Sequence, residues 1–338
     1  MESSLNGFDI DKVLEAMAAE RSIRINDYAI LNREERPFSD VFRVRLNIDK
    51  DSSAFVFIKY LKSLARNSNK EALRKNYETT QFWFEKFRDS KQFRTIEPLY
   101  INYDNYAIIT RESPGYDLNR YIEHYGQFFP PLQTQKKIYK NLYNVGQWLS
   151  YFQSIPVNGR EQPLSLEDIL DYINLRLERI VENSKIAFND NLAGRINDYI
   201  GALWADIREA DKRQCYLHSD LSLSNILIHR DTVTVLDFGK IETGSIYKDL
   251  TRLYHQLMLL GHKPTFLKGF LSNLKENLLA GYGDVNASHN PLFRIYLLTH
   301  IINHFGKTAR FWEHSFTENI YNRWIVKRTL KEIKEFIS

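Results

Sequence analysis

The chain has 338 residues, 43% of them apolar and 26% charged, the balance of an ordinary folded protein. Its 20 Tyr, 21 Phe and 5 Trp exclude a disordered chain, and its length suggests two domains or lobes. The 46 Lys and Arg against 42 Asp and Glu leave a formal net charge of +4, too mild to argue for a nucleic-acid partner.

The N-terminus, Met1-Glu2-Ser3-Ser4-Leu5-Asn6, lacks the basic start and apolar run of a signal peptide. No stretch approaches the ~20 apolar residues that cross a bilayer. The single cysteine, Cys215, allows no intrachain disulfide. These features lead us to expect a cytoplasmic protein with no transmembrane segment. Oligomeric state is not legible.

The first hundred residues read as strands. Tyr28–Leu31, Val41–Leu46, Phe55–Tyr60, Ile96–Asn102 and Tyr106–Thr110 are short runs of β-branched and aromatic residues, separated by polar breaks. One helical segment, about Asn69–Phe87, interrupts them. Ser113-Pro114-Gly115 marks a turn after the last strand, so we place a first lobe at 1–112 and a second at 113–338.

From Pro131 the period becomes helical. Ile138, Leu142, Val145, Leu149 and Phe152 draw one apolar stripe. Ser165-Leu166-Glu167-Asp168 reads as a cap opening a helix with Ile169, Ile173, Leu177 and Ile180 inward; Ile196, Ile200, Leu203 and Ile207 mark another. Further helices are expected at Ile246–Leu260, Phe266–Leu279, Leu292–Phe305 and Tyr321–Ile337. The terminal aromatics Phe311, Trp312, Phe316, Tyr321 and Trp324 suit a core better than an acceptor pocket. His300 and His304, four apart, lack the third ligand of a zinc site.

One segment breaks the helical run. After His218-Ser219-Asp220-Leu221-Ser222-Leu223-Ser224-Asn225 come Ile226–Ile228, a turn at His229-Arg230-Asp231-Thr232, and Val233–Leu236. This reads as a hairpin, followed by Asp237-Phe238-Gly239. Antiparallel pairing brings Asn225 and Asp237 to the same open end. A carboxylate beside a carboxamide suits Mg²⁺, which takes few protein ligands. Asp220, five residues before Asn225, can accept the proton of an incoming hydroxyl, as phosphoryl transfer requires.

His218-Ser219-Asp220 with Asn225 and Asp237-Phe238-Gly239 resembles the catalytic loop and metal motif of protein-kinase-like phosphotransferases. It looks closest to the aminoglycoside phosphotransferase and choline kinase branch, whose loop reads His-Gly-Asp; Ser219 takes the glycine's place. The resemblance implies a two-lobed α+β protein-kinase-like fold, with a small antiparallel-sheet lobe carrying one helix and a larger, mostly helical lobe. It implies ATP and Mg²⁺ as cofactors, Asp220 as catalytic base, and Asn225 and Asp237 as metal ligands.

By the same resemblance Lys59 meets the nucleotide phosphates and is held by a glutamate, Glu78, with Glu71 in reserve. Ser39 belongs to the phosphate loop, which has no glycine here, while Thr110 and Glu112 lie near the hinge that meets adenine. His218 and Asp249 are implied to be structural. His218 stands 66 positions after Phe152, and the stretch between them matches a helical insertion, about 156–212, that helps form the acceptor site in small-molecule kinases. No Ala-Pro-Glu motif follows Gly239, which disfavours a typical protein kinase. His229-Arg230-Asp231 imitates a kinase triplet, but Leu236 stands where Asn is required.

The expected activity is therefore Mg·ATP-dependent phosphorylation of a hydroxyl on a small molecule, sugar or glycan. A lipid-linked saccharide or protein acceptor, and a non-catalytic nucleotide-binding scaffold, stay open as alternatives. The sequence decides neither the acceptor nor ATP over GTP.

Overall fold

A computed structural model of the protein describes residues 4–5, 8–49, 52–62, 70–157, 163–182, 186–309 and 316–338. The chain divides into two compact units. One comprises Met1–Leu118 and Ser224–Ile241; the other comprises Asn119–Leu223 and Glu242–Ser338.

The first unit is built on a five-stranded antiparallel sheet in the order Asp27–Glu35, Ser39–Asp49, Ser52–Leu61, Ala107–Arg111, Pro98–Asn102. Alternation along Ser52–Leu61 turns Val56, Ile58 and Tyr60 into the core, leaving Phe57 and Lys59 on the other face. Phe42, Val44 and Leu46 of the neighbouring strand face the same core.

Among the described residues, two α-helices pack on this unit's sheets. Lys70–Phe87 answers the expected one, with Leu73, Thr80, Trp83 and Phe87 buried. The other, Ile10–Glu20, was not among the expected elements. Asp9 caps it by accepting the Lys12 N–H, and Ile10, Val13, Leu14 and Met17 pack on the sheet. Four buried side chains at about 2 kcal/mol each hold this short helix far better than its propensity.

A second, four-stranded sheet runs Phe93–Thr95, Thr232–Val235, Ile226–His229, Tyr116–Asp117. Its two central strands are the expected hairpin, with Ile226 opposite Val235. Arg230, in the turn, takes a φ of 54°, so the kinase-like triplet at 229–231 does lie in a hairpin connection. Gly115 has a φ of 135°, and any Cβ there would come within 2.8 Å of the Ile228 carbonyl oxygen. Only glycine fits that approach.

The second unit is helical. It contains Leu132–Ser154, Leu166–Val181, Asp190–Ala205, Lys248–Leu260, Lys268–Tyr282, Pro291–Thr308 and Phe316–Phe336. The Ser165 hydroxyl accepts the N–H groups of Glu167 and Asp168, as its sequence context suggests. Leu166–Val181 and Asp190–Ala205 lie in the stretch read as an insertion. A short sheet pairs Gln214–Leu217 with Glu242–Ser245. Cys215 lies buried in it, and burial pushes its thiol up to about 12, which leaves no reactive thiolate.

Phe311 and Trp312 fall outside the described residues, as do the side chains of Phe316 and Tyr321. Trp324, expected in the core, remains 42% exposed, with its ring edge-on to His262 at 6.5 Å.

Candidate functional site

In the first unit, strand register places Lys59 beside Val41 and Ile108. Its ammonium lies 3.5 Å from Oδ1 of Asp237, 178 residues away in sequence. Both side chains are about one-third exposed, so this ion pair is open to a ligand. Asp237 has φ 63° and ψ 61°, a left-handed backbone that a non-glycine residue adopts only under tertiary constraint.

That constraint comes from both flanks. The Leu236 N–H donates to the Asn225 carbonyl at 2.9 Å, closing the open end of the hairpin. Phe238 is fully buried with its ring 6.0 Å from Trp83. A Cβ on Gly239 would come within 2.2 Å of the Asn76 carboxamide, so glycine here serves close approach to the Lys70–Phe87 helix. The hairpin therefore brings half-buried Asn225 and Asp237 to one end, as its sequence predicts.

Glu78 is not brought to Lys59. It accepts from Arg74 one turn away at 3.3 Å, and Glu71 accepts from the same guanidinium at 2.7 Å. The cause is helical periodicity. With Leu73, Thr80, Trp83 and Phe87 inward, positions 71, 74 and 78 face solvent. The partner of Lys59 in this structure is Asp237.

The phosphate-loop candidate is a tight turn. The Arg36 N–H donates to the Ser39 carbonyl at 2.9 Å across Pro37-Phe38, and the Lys62 N–H donates to the Phe38 carbonyl. Ser39 is buried. Next to it, buried Asp40 meets Arg33 at 2.8 Å and Lys62 at 3.0 Å. Burial raises the Asp40 carboxyl, but Lys62 and Arg33 together outweigh it and hold the group below its ordinary range.

Thr110 pairs with Phe57 and Pro98 within the sheet. The Glu112 carboxylate receives the Arg43 guanidinium on both oxygens at 3.1 Å, and its N–H donates to the Phe55 carbonyl. The Arg111 N–H is likewise taken by the Glu97 carbonyl.

In the second unit, the loop that follows strand Gln214–Leu217 hangs from one helix face. Asp249 is fully buried and accepts the His218 N–H at 2.6 Å and the Ser219 N–H at 3.1 Å. Arg252 donates to the Ser219 carbonyl at 3.1 Å and to Asp220 Oδ1 at 2.5 Å. Gln256 accepts the Leu223 N–H at 2.8 Å and donates to the Leu221 carbonyl at 3.4 Å. Positions 249, 252 and 256 step by three and four, so one stripe of Lys248–Leu260 fixes the whole loop. Ser219 takes a φ of 61°, where the resembling family has glycine.

Sequence reasoning found Asp249 by resemblance but missed Arg252 and Gln256. Their signal was available as a polar i, i+3, i+7 stripe on an otherwise amphipathic helix. Burial pushes the Asp249 carboxyl up to about 6, against the pull of the two peptide donors.

Beneath that helix lies a histidine cluster. The His255 ring is 6.2 Å from His300 and 5.7 Å from His304, and His304 is 6.4 Å from His262. The Lys248 carbonyl lies 3.1 Å from His300 Nε2, and Glu332 lies 3.0 Å from His262 Nε2. Burial lowers His300 and His304 to about 4 and holds His255 well below the ordinary imidazole range, so these rings are neutral near pH 7. Among the described residues no group of three or more His, Cys, Asp or Glu could hold a metal ion.

A family model described as a phosphotransferase enzyme family matches residues 123–289, just under half of the chain. No curated protein sequence matches it. Among solved structures it resembles APH(2'')-IIa in a ternary complex with streptomycin and ATP, at 15% identity and a TM-score of 0.55, covering 97% of each chain. It resembles a choline kinase from Cryptosporidium parvum Iowa II at 11% identity and a TM-score of 0.57, covering 97% of this chain and 96% of the other. A thermostable mutant of aminoglycoside phosphotransferase APH(4)-Ia, in ternary complex with AMP-PNP and hygromycin B, matches at 12% identity and a TM-score of 0.58, covering 94% and 97%.

The fold is thus the α+β protein-kinase-like fold, and the resemblance to the aminoglycoside phosphotransferase and choline kinase branch holds. Over residues 123–289 the match to the phosphotransferase family model agrees with the kinase-type transferase expected from the sequence. No helix among the described residues is long and apolar enough to cross a membrane.

Proposed function

We propose that the protein transfers the γ-phosphoryl group of ATP, with Mg²⁺, to a hydroxyl of a small molecule, sugar or glycan. The observation that carries this reading is the Lys59–Asp237 contact. It joins residues 178 apart through a strained backbone and leaves both groups accessible to a nucleotide.

Asp220 accepts the proton of the acceptor hydroxyl as its oxygen bonds to the γ-phosphorus; the bond to the β–γ bridging oxygen breaks, and ADP leaves. Arg252 holds Asp220 in one orientation. Lys59 meets phosphate oxygens, and Ser39 lies on the adjacent strand. Thr110 and Glu112, at the end of strand Ala107–Arg111, are proposed to receive the base. Glu78 takes no part in this scheme, because it is tied to Arg74 on the exposed helix face.

The donor set at the hairpin end, one carboxylate and one carboxamide, fits a hard cation that takes few protein ligands. Asn225 and Asp237 would hold Mg²⁺, with phosphate oxygens and water completing its shell. Bound there, the ion would neutralise charge on the phosphates.

The test incubates the protein and its Asp220→Asn variant with Mg·ATP and a metabolite and glycan extract, then seeks phosphorylated species by mass spectrometry. A product made only by the wild type supports the reading. Equal product from both removes Asp220 as base. Nucleotide binding with no product anywhere favours the non-catalytic alternative.

A further inference from the structure

The connection between helices Leu118–Tyr125 and Leu132–Ser154 reads Gly126-Gln127-Phe128-Phe129-Pro130-Pro131, and it displays what a water-facing loop ordinarily hides. Phe128 is 63% exposed, Phe129 85% and Leu132 63%, and Tyr125 beside them is half exposed. Single exposed apolar residues are common, but four within eight positions form a patch that calls for a partner.

The loop is held in this presentation. Phe128 has a φ of 57°, a rare conformation for a bulky side chain. Its N–H donates to the Thr265 carbonyl at 2.6 Å, and the Gly126 N–H to the Ile122 carbonyl at 2.8 Å. On the far side Gln135 donates to the Pro130 carbonyl at 2.8 Å. The tie to Thr265 brings in Leu267, which is also exposed. Strain maintained by bonds at both ends, with apolar rings pointing outward, is a feature that folding alone does not favour.

Charge along the flanking segments is mostly positive. Between 120 and 140 the chain carries Arg120, Lys136, Lys137 and Lys140, all exposed, against the single acid Glu123. Glu123 is tied to Lys263 at 2.9 Å, and exposed Lys268 follows Leu267. An apolar tip flanked along the chain by cations matches a surface that is negative outside and apolar within.

We propose that the loop Tyr125–Leu132 docks the protein onto an anionic membrane surface, Phe128 and Phe129 entering the interface while the surrounding lysines meet lipid headgroups. Pro130 and Pro131, directly after the two phenylalanines, limit the entropy lost on docking. No residue of the proposed phosphotransfer site takes part, so docking and catalysis are separable.

The test is co-sedimentation of the full chain with phosphatidylcholine vesicles containing about one-third phosphatidylserine, beside pure phosphatidylcholine. Binding to the anionic vesicles alone, weakened by salt, is expected. Phe128→Ala/Phe129→Ala should lower the partition at least tenfold. Lys136→Glu/Lys137→Glu should lower it by a comparable factor, since each lysine near such a surface is worth about fivefold. Both pairs are exposed, and an unchanged melting temperature and nucleotide affinity would show that the fold persists. Equal partition of wild type and the phenylalanine variant, or none on anionic vesicles at low salt, overturns the proposal. A dimer in light scattering that the phenylalanine variant abolishes would also overturn it, assigning the patch to a second copy of the chain.

Discussion

The two loops that matter most are secured in opposite ways. The phosphate-loop candidate at 35–40 is a local object: a Pro37-Phe38 turn between neighbouring strands, locked by Arg33 and Lys62 on buried Asp40. The loop at 218–223 is a tertiary object. Asp249, Arg252 and Gln256 bind its backbone and Asp220 from a helix some thirty residues later. A locally closed loop resists small changes elsewhere. One hung from a single helix face should fail when any of its hangers is cut.

Cutting the main hanger tests that contrast hardest. Asp249→Ala leaves two peptide N–H groups without their acceptor, one of them fully buried, which costs about 3 kcal/mol of stability and should abolish turnover. Urea midpoints and phosphotransfer assays read both; a stable, active variant would show that the loop holds itself.

Arg252→Met comes next. It frees Asp220 and the Ser219 carbonyl without emptying the space, so kcat should fall at least tenfold. Nucleotide affinity should hold. An equal fall in affinity would mean that Arg252 supports more than the loop.

The helix carrying these hangers rests on the histidine cluster, which gives acid a way in. His300 and His304 are neutral in the folded state with values near 4, while the unfolded chain binds their protons at about 6.5. Unfolded protein therefore holds more protons between these limits, and stability should fall as pH drops from about 6.5 to 4. Asp249 opposes this, since its raised value favours the folded state below pH 6, but the histidines outnumber it. Urea midpoints across that range should decline for the wild type and flatten for His300→Gln.

The local loop should lose less. Asp40→Asn removes a carboxylate held below its ordinary range, at a cost of about 2 kcal/mol near pH 7. A lowered folded value stabilises above the unfolded value and is lost below it, so the gap from wild type should close as pH falls through about 4. Turnover should change little, unlike in Asp249→Ala. The smallest effect belongs to Ser219→Gly, which relieves a left-handed backbone and should add about 1 kcal/mol while keeping activity.

Much of this was legible beforehand because it rests on local rules. Period-two and period-3.6 patterns marked most strands and helices, and the hairpin at 226–235 followed from two β-branched runs with a polar turn between them. Even the helix Ile10–Glu20 carried its signal at 10, 13, 14 and 17, although it was not recognised. Glu78 was misplaced beside Lys59 because sequence distance was followed where the buried stripe of its own helix already turned it outward.

What the sequence by itself determined is chemistry in order along the chain: a lysine on a strand, an Asp-x-x-x-x-Asn loop, and an Asp-Phe-Gly after a hairpin. Only the tertiary structure decided which of these meet. The Lys59–Asp237 contact and the hold of Arg252 on Asp220 join residues 178 and 32 positions apart. Periodicity reports which way a residue faces on its own element, but which partner it faces is set by how the elements pack, and packing is settled by the whole core at once.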